Sequence, residues 1–233
     1  MRFERFPPSP PVARFVEGYW LVTWDRAGRA PDERQVPPQP VASIVLGDGP
    51  ARLEGPSSAT CTRTLAGAGR MLGVTFRPAG FRPFAAGPLS ELAERVVPYD
   101  ELPVDVDAVD AHLAALVPDE PRPSEATTLV VERIAADPSV VRVATLADHL
   151  ELSERQLQRR FLDHVGVRPK QVIRRYRLAE AAERARTSDV DWAALAAELG
   201  YSDQSHLVRD FTAVLGRSPE RWLATSECRT CRA

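Results

Sequence analysis

The sequence predicts an α+β protein of two domains, with a β-rich, barrel- or sandwich-like front half and an all-helical rear half. In the front half, runs of aromatic and β-branched residues alternate with Gly and Pro, which is typical of short strands joined by turns. In the rear half, apolar residues recur at helical spacing and one two-helix pattern occurs twice. The rear half is therefore predicted to hold two helix-turn-helix units joined by a long helix.

A proline-rich segment separates the two halves. Residues 117–124 contain three prolines, whose fixed φ and missing amide hydrogen disfavour regular structure. We therefore expect a β-rich domain over residues 1–116, a linker over 117–124, a helical domain over 125–224 and a tail over 225–233.

The main strands of the front half are predicted by three apolar runs, at residues 15–24, 41–46 and 70–76. Two later segments, residues 88–95 and 104–116, have the spacing of short helices. Ser90 is a candidate N-cap of the first of these helices, since Ser is favoured at that position.

The rear half contains signals for where its helices start and stop. Ser124 is expected to cap its first helix, and Ser153 a later helix that Gly166 ends. Pro169 suits the first turn of a helix, so a long helix is predicted from there to about Arg186.

An internal repeat is the most informative feature of the sequence. Leu-Ala-x-x-Leu at residues 146–150 returns at residues 195–199, and Ser153 matches Ser202 at the same offset of 49. Beyond the turn the offset is 50, as these pairs show: Leu157 with Leu207, Arg159 with Arg209, Phe161 with Phe211, Gly166 with Gly216 and Pro169 with Pro219.

The length of the linking helix suits a double contact with DNA. About 18 residues span about 27 Å, while one turn of B-DNA is about 34 Å. Because a major groove admits a helix, the second helix of each unit is expected to enter one of two successive major grooves.

Charge is distributed unevenly along the chain. The whole chain has 30 Lys and Arg against 32 Asp and Glu, a formal charge of −2. Residues 139–177 have nine basic and four acidic side chains, a net +5, whereas residues 189–222 have three and six, a net −3. Since a local basic face is enough to attract phosphates, the first unit is expected to supply most of the attraction to DNA.

These residues resemble a known family. Residues 193–211, followed by 215–222, are similar to the signature segment of AraC/XylS-type transcription regulators, and residues 146–173 resemble that family's upstream helix-turn-helix. The resemblance implies a cytoplasmic bacterial protein that binds double-stranded promoter or operator DNA sequence-specifically and engages RNA polymerase. It does not indicate whether the protein activates or represses.

The front half resembles the small cupin-like sensor domain found in one branch of the same family. The matching segments are residues 55–56, 72–80 and 91–97. The resemblance implies that the front half binds a small effector or forms a homodimer. Apolar contact with an effector would fall to Trp20, Trp24, Phe76 and Phe81, with Arg77 as the polar contact. The alternative is that these aromatic residues are core and that Arg77 pairs with an acid.

The resemblance also assigns the residues that read DNA. In the first unit the base-facing positions are those of Arg155, Gln158 and Arg159; Arg can pair with guanine and Gln with adenine. The equivalent candidates in the second unit are Gln204, Ser205, His206 and Arg209. The candidates for phosphate contact are Ser153, Arg160, Lys170 and Arg174. The alternative for each helix is a solvated polar face.

Other functional classes have weaker support in the sequence. The first of the four histidines is His112, so a histidine-based metal site in the preceding β-rich segment is excluded, and we expect no metal, cofactor or catalytic residue. No apolar run reaches the length of a membrane span. The alternative function is an enzyme or a redox- or electrophile-sensing protein with a helical accessory domain. Its reactive thiols would be Cys61, or Cys228 and Cys231.

Overall fold

The computed structural model of the chain describes residues 1–36, 39–47, 49–58, 60–187 and 190–226. The strands of these residues are β1 Arg2–Phe6, β2 Val16–Arg26, β3 Asp32–Val36, β4 Ser43–Leu46, β5 Arg52–Glu54, β6 Cys61–Leu65, β7 Gly67–Phe76 and β8 Val96–Pro98. The α-helices are α1 Val106–Leu116, α2 Pro123–Ala136, α3 Val143–His149, α4 Glu154–His164, α5 Pro169–Thr187, α6 Trp192–Glu198, α7 Gln204–Leu215 and α8 Pro219–Ser226. The predicted α+β class, β-rich in front and helical behind, is confirmed.

Six strands of the front half form one antiparallel sheet in the order β1-β2-β7-β4-β5-β8, while β3 and β6 pair separately. The long central pair is β2 and β7, in which Trp20 lies opposite Gly73 and Trp24 opposite Gly69. A Cβ atom on either glycine would overlap the indole ring of its partner. The missing side chains of β7 therefore make room for two aromatic rings on one face of the sheet.

The two faces of the sheet bury different residues because side chains alternate along a strand. One face, with Tyr19, Leu72 and Val74, packs against Val109 and Leu113 of α1 to form the main core of the front half. The other face holds a smaller cluster, whose members are Val45, Leu65, Met71, Trp20 and Trp24.

The helix predicted over residues 88–95 is largely absent. Only a short 3-10 helix, Leu89–Glu91, forms there, and its N-cap is Pro88 rather than Ser90. Glu94 has a φ of 59°, which a right-handed helix cannot contain. Its amide instead donates to the carbonyl of Pro56, so packing against a neighbouring loop overrides the local helical pattern.

The first rear helix, α2, begins two residues earlier than a cap at Ser124 would require. Pro123 occupies the first turn and Arg122 is the N-cap residue. The backbone amide of Arg122 donates to Glu125 Oε1 at 2.7 Å, which stabilises this start. The expected cap by Ser124 is therefore wrong: proline needs no amide partner there, and Ser124 lies buried inside the helix.

The rear half consists of two helical units that share α5. The apolar core of the first unit includes Leu157 and Phe161 of α4, and that of the second includes Leu207 and Phe211 of α7. Helix α5 contributes Val172 and Ile173 to the first core and Leu178, Ala181 and Ala182 to the second. Each helix-turn-helix unit is therefore built onto its own part of one rod of 19 residues.

The ends of α4 and α7 follow the repeat, with one difference. Ser153 caps α4 as predicted, and the N-cap residue of α7 is Asp203, although the repeat partner of Ser153 is Ser202. The cap must reach the amide three residues on, and Asp203 Oδ1 accepts from the His206 amide at 2.7 Å. Gly166 and Gly216, after the two helices, have φ of 88° and 73°, a left-handed conformation that favours glycine.

Candidate nucleic-acid interface

Helix α4 presents one buried and one exposed face. Leu157 and Phe161 are fully buried, whereas Arg155, Gln158 and Arg159 are exposed. These three side chains make no ion pair or side-chain hydrogen bond within the part of the chain that the structure describes. The two guanidinium groups and the side-chain amide are therefore available to bind an external partner.

The start of α4 is fixed by a reciprocal cap. The Ser153 hydroxyl accepts from the Gln156 amide at 3.2 Å, and Gln156 Oε1 accepts from the Ser153 amide at 2.8 Å. Ser153, a phosphate candidate, is exposed while it serves as this cap. Gln156 is occupied by the cap, which leaves Arg155, Gln158 and Arg159 as the side chains directed outward.

Helix α7 has an exposed face at the equivalent positions, with Gln204, Ser205 and Arg209. Arg209 Nε donates to the carbonyl of Ser205 at 3.2 Å, across one turn of the same helix. His206 is only half-exposed: its Nδ1 lies 3.1 Å from Ser202 Oγ, and its ring meets Tyr201 edge-on at 5.1 Å. Among the candidate base-reading positions of the described residues, α7 thus offers one outward cation, Arg209, where α4 offers two.

The phosphate candidates divide into two groups. Lys170 is exposed and Arg160 half-exposed, without an ion pair among the described residues. Arg174 is engaged inside the protein, since its Nη2 donates to Asp210 Oδ1 at 2.7 Å and its Nε lies 2.6 Å from Asp210 Oδ2. A direct phosphate contact by Arg174 would require this ion pair to break.

Other arginines of α5 also face inward. Arg177 is 2 % exposed and donates through Nη2 to the carbonyls of Ile134, Asp137 and Val140 at 3.1, 2.7 and 3.1 Å. Burial lowers the pKa of the Arg175 guanidinium to about 10. The sequence count of +5 therefore overstates the outward charge of the first unit, because its α5 arginines are paired or buried.

The front domain is docked on the first unit. Within the described ranges, three ion pairs join them: Arg14 with Glu125, Arg77 with Glu132 and Arg82 with Asp163. The Arg82–Asp163 contact, 2.7 Å from Nε to Oδ1, reaches the last turn of α4. Next to that helix, a Cβ on Gly166 would lie 2.8 Å from the carbonyl oxygen of Leu89, so the two domains are in close contact there.

A groove of about 370 Å³ lies between the front domain and α4. Its lining residues are Pro88 and Ser90 on one side and Arg155, Gln158, Arg159, Leu162 and Asp163 on the other. All three candidate base-reading residues of the first unit thus face a surface of the front domain. No local sequence pattern indicates this contact, because Arg82 and Asp163 lie 81 residues apart.

The five effector candidates do not line one pocket. Trp20 and Trp24 lie on one face of the sheet, and Phe76 and Phe81 are buried in the core on the other. Arg77 pairs with Glu132 of α2 and donates to the carbonyl of Ala13 at 3.4 Å. The alternative considered from the sequence, core aromatics and a paired arginine, describes this placement of Phe76, Phe81 and Arg77.

The remaining candidate chemistry concerns cysteines and metals. Cys61 is an exposed free thiol on β6, while Cys228 and Cys231 lie outside the described residues. Over the described ranges, no group of three or more His, Cys, Asp or Glu side chains is arranged to hold a metal ion. Within those same ranges, no helix combines the length and apolar character needed to cross a membrane.

Two family descriptions match the chain. Residues 146–225 match the family described as "Helix-turn-helix domain", and residues 4–98 match a "Domain of unknown function (DUF6597)". The first match coincides with the two capped helices and the α5 rod between them. The matched range contains the segments whose sequence resembles AraC/XylS-type regulators, and residues 146–225 are called the AraC-type region below. This AraC-type region starts within α3, so α2 lies outside the matched range.

Curated relatives match about a third of the chain. The transcriptional activator RhaS of Pectobacterium carotovorum (strain PC1) is 32 % identical over 80 residues, which are 34 % of this chain and 29 % of the relative. RhaS of Pectobacterium atrosepticum is 33 % identical over 75 residues, 32 % of this chain and 27 % of the relative. The chain thus spans less than a third of the length of these relatives.

Solved structures are similar to parts of the chain or to most of it. The DNA-binding domain of AdpA, in complex with a target DNA, is 26 % identical with a TM-score of 0.39. The match covers 46 % of this chain and 96 % of the AdpA domain. ToxT from Vibrio cholerae is 10 % identical with a TM-score of 0.46, covering 96 % of this chain and 98 % of ToxT.

Proposed function

We propose that the chain is a sequence-specific DNA-binding transcription regulator of AraC type. The observation that supports this most directly is the pair of capped helices, α4 and α7, on one rod. Each buries a Leu and a Phe and turns polar side chains outward. At 1.5 Å per residue the 19-residue α5 is about 28 Å long, which suits two successive major grooves on one side of a duplex.

Base reading is assigned to the outward side chains of the two helices. Arg155 and Arg159 can each donate two hydrogen bonds to guanine, and Gln158 can pair with adenine. In the second unit, Gln204 and Arg209 supply the same chemistry, with Ser205 and His206 beside them. Lys170 and Arg160 are the outward cations for phosphates, which position the protein without reading sequence.

We assign the parts of the chain to separate tasks. Residues 125–224 read double-stranded operator DNA, and residues 1–116 sense a small effector or form a homodimer. RNA polymerase is the expected further partner, since the curated relatives are named transcriptional activators. Such a regulator would work in the cytoplasm, next to the DNA it controls.

The docked front domain offers a physical route to control. A helix with its side chains is about 10–12 Å wide and a major groove about 12 Å, so the two DNA backbones run close along both sides of an inserted helix. Pro88 and Ser90 lie beside the base-reading face of α4, where one backbone would pass. We therefore infer that an effector or a second subunit shifts the population between docked and displaced front domains.

The test is selection of duplex DNA from a random pool with the full chain, followed by gel-shift titration of the selected duplex. We expect affinity that depends on sequence and falls steeply with salt, because phosphate contacts release counterions. The double substitution Arg155→Ala/Arg159→Ala should abolish sequence preference. Arg29→Ala, an exposed arginine in the front half, is the matched control and should bind as the unmodified chain does.

Two results would overturn the proposal. One is that no sequence is enriched in the selection. The other is that the double variant keeps the sequence preference of the unmodified chain. An effector would be sought separately, by screening small molecules for those that raise the melting temperature.

A further inference from the structure

The relative orientation of the two reading helices depends on α5, and two of its arginines bind opposite units. Arg177 binds three carbonyls at the α2–α3 connection of the first unit. Arg174 binds Asp210 of α7 in the second unit through two nitrogen–oxygen contacts of 2.7 and 2.6 Å. The rod is therefore attached to each unit by directed hydrogen bonds as well as by apolar packing.

Arg174 connects the two units because of where it lies on α5. Its neighbours Val172 and Ile173 are buried in the core of the first unit. Asp210 lies between Arg209, a candidate base-reading residue, and Phe211, which is buried in the core of the second unit. The ion pair thus runs from the first unit's part of the rod to the middle of the second reading helix.

The geometry of this pair gives it directional control that apolar packing lacks. Arg174 Nη2 donates one hydrogen bond to Asp210 Oδ1, and Nε lies 2.6 Å from Oδ2 as an ion-pair contact without a hydrogen bond. A charge-assisted hydrogen bond favours one orientation of its two groups, whereas hydrophobic burial has no direction. The Asp210 side chain is only 17 % exposed, so water competes weakly for it, while that of Arg174 is 40 % exposed. The pair is accordingly suited to setting an angle more than to adding stability.

A small change in that angle would matter for base contacts. Gln204 lies six residues before Asp210, about 9 Å along the helix axis. A rotation of roughly 10° about Asp210 would move Gln204 by roughly 1.5 Å, more than the roughly 0.5 Å tolerance of a functional contact.

We propose that Arg174 is a positioning residue, which through Asp210 sets the orientation of α7 so that both reading helices engage one operator together. The inference rests on the proposed DNA-binding function. It replaces the phosphate contact expected for Arg174 from the sequence, and the two roles make opposite predictions for Asp210.

The experiment compares Arg174→Ala and Asp210→Asn on two duplexes, the selected operator and a version in which the element read by the second unit is scrambled. A positioning role predicts that both substitutions lower affinity for the full operator by about tenfold and change affinity for the scrambled one by less than twofold. The slope of log affinity against log salt should stay the same, since no phosphate contact is lost.

A phosphate role predicts a different pattern. Arg174→Ala would lower the salt slope by about 0.9, and Asp210→Asn would tighten binding because it frees a cation and removes a negative charge. Either of these results, or an equal loss on both duplexes, would overturn the positioning role. Arg186→Ala, near the far end of α5, is the control for charge removal and should leave both affinities unchanged.

Two further measurements keep the outcomes separable. The exchanged pair Arg174→Asp/Asp210→Arg should recover part of the affinity for the full operator, and no recovery would count against the pairing. Melting temperatures identify a variant that fails to fold, in which case Asp210→Asn decides alone. If the unmodified chain binds no DNA, the proposed function itself fails, which is a result distinct from all of these.

Discussion

The two helical units repeat one pattern but differ in how they are held and in the charge they present. The first unit is joined to the front domain by three ion pairs and to α5 by the buried Arg177. The second has a single hydrogen bond to the front domain in the described residues, from Thr60 Oγ1 to the carbonyl of Val214 at 3.1 Å. It is joined to α5 by the Arg174–Asp210 and Arg184–Glu198 ion pairs. Among the described residues, the two units therefore differ mainly in how firmly each is attached to the front domain.

Removing Arg177 should show how firmly the first unit is fixed. Arg177→Leu leaves three carbonyls without their donor in a buried site, and each loss costs about 1 kcal/mol or more. We expect the free energy of unfolding to fall by about 2–4 kcal/mol, measured by urea denaturation. Arg174→Ala, at the partly exposed pair of the second unit, should cost less than about 1 kcal/mol. Equal costs would contradict the difference between the units.

The glycines that end the two reading helices provide the next comparison. Gly166→Ala places a Cβ on a residue in the left-handed conformation, 2.8 Å from the Leu89 carbonyl oxygen. We expect this variant to lower the free energy of unfolding by about 2–3 kcal/mol. Gly216→Ala, at a φ of 73°, should lower the free energy of unfolding by about 1 kcal/mol because of backbone strain. Thermal unfolding of the two variants checks the order, and a larger loss at Gly216 would show that the front domain does not constrain the end of α4.

Operator affinity should be lost unequally from the two units. Arg159→Ala removes an outward cation from the more basic unit. We expect operator binding to weaken by about 2 kcal/mol, which is a loss of affinity of about thirtyfold. Arg209→Ala, in the acidic and more loosely held unit, should cost about 1 kcal/mol or less. Titration of both variants at one fixed salt concentration tests this, and equal losses would remove the asymmetry.

A smaller effect is expected from acid. Burial lowers the pKa of His164, with a further lowering by Arg82 and Arg160 and an opposing effect of Asp163. The folded protein therefore holds this proton less well than the unfolded chain, so the stabilisation is complete above the unfolded pKa of about 6.5 and declines as pH falls below it. Melting temperatures of the unmodified chain should drop between pH 7 and pH 5 more than those of His164→Gln.

The matched control for the acid effect is His149→Gln. His149 lies on α3 of the same unit with an exposed side chain. This variant should keep the pH dependence of the unmodified chain. A pH dependence unchanged by His164→Gln would assign the acid sensitivity to other groups.

The sequence was sufficient to predict the rear half because repeated local signals agree there. The residues that start or end its helices act within one helical turn, as Ser153, Gly166 and Pro169 do. Helix starts and ends could therefore be inferred without knowledge of tertiary contacts. The second unit departs from the repeat at its cap, because Ser202 and Asp203 are adjacent and both are favoured N-cap residues. In the structure the Asp203 carboxylate accepts from the His206 amide, so Asp203 is the cap.

The front half was harder to predict because its shortest strands, such as β5 and β8, depend on partners far along the chain. The burial of Arg177 had a detectable signal in the sequence, because Ile173, Arg177 and Ala181 lie four residues apart and share one face of α5. The pairing of Arg82 with Asp163 had no local signal, since it joins two domains.

The single rod under both units also limits how this protein can change over generations. One residue inserted in α5 between Arg174 and Leu178 would turn the second unit by about 100° around the rod and advance it by about 1.5 Å. The reading face of α7 would then point away from the duplex. New operators are therefore more accessible through replaced side chains on α4 and α7 than through a changed distance between the two DNA elements, so lineages should diversify in base preference while keeping the spacing.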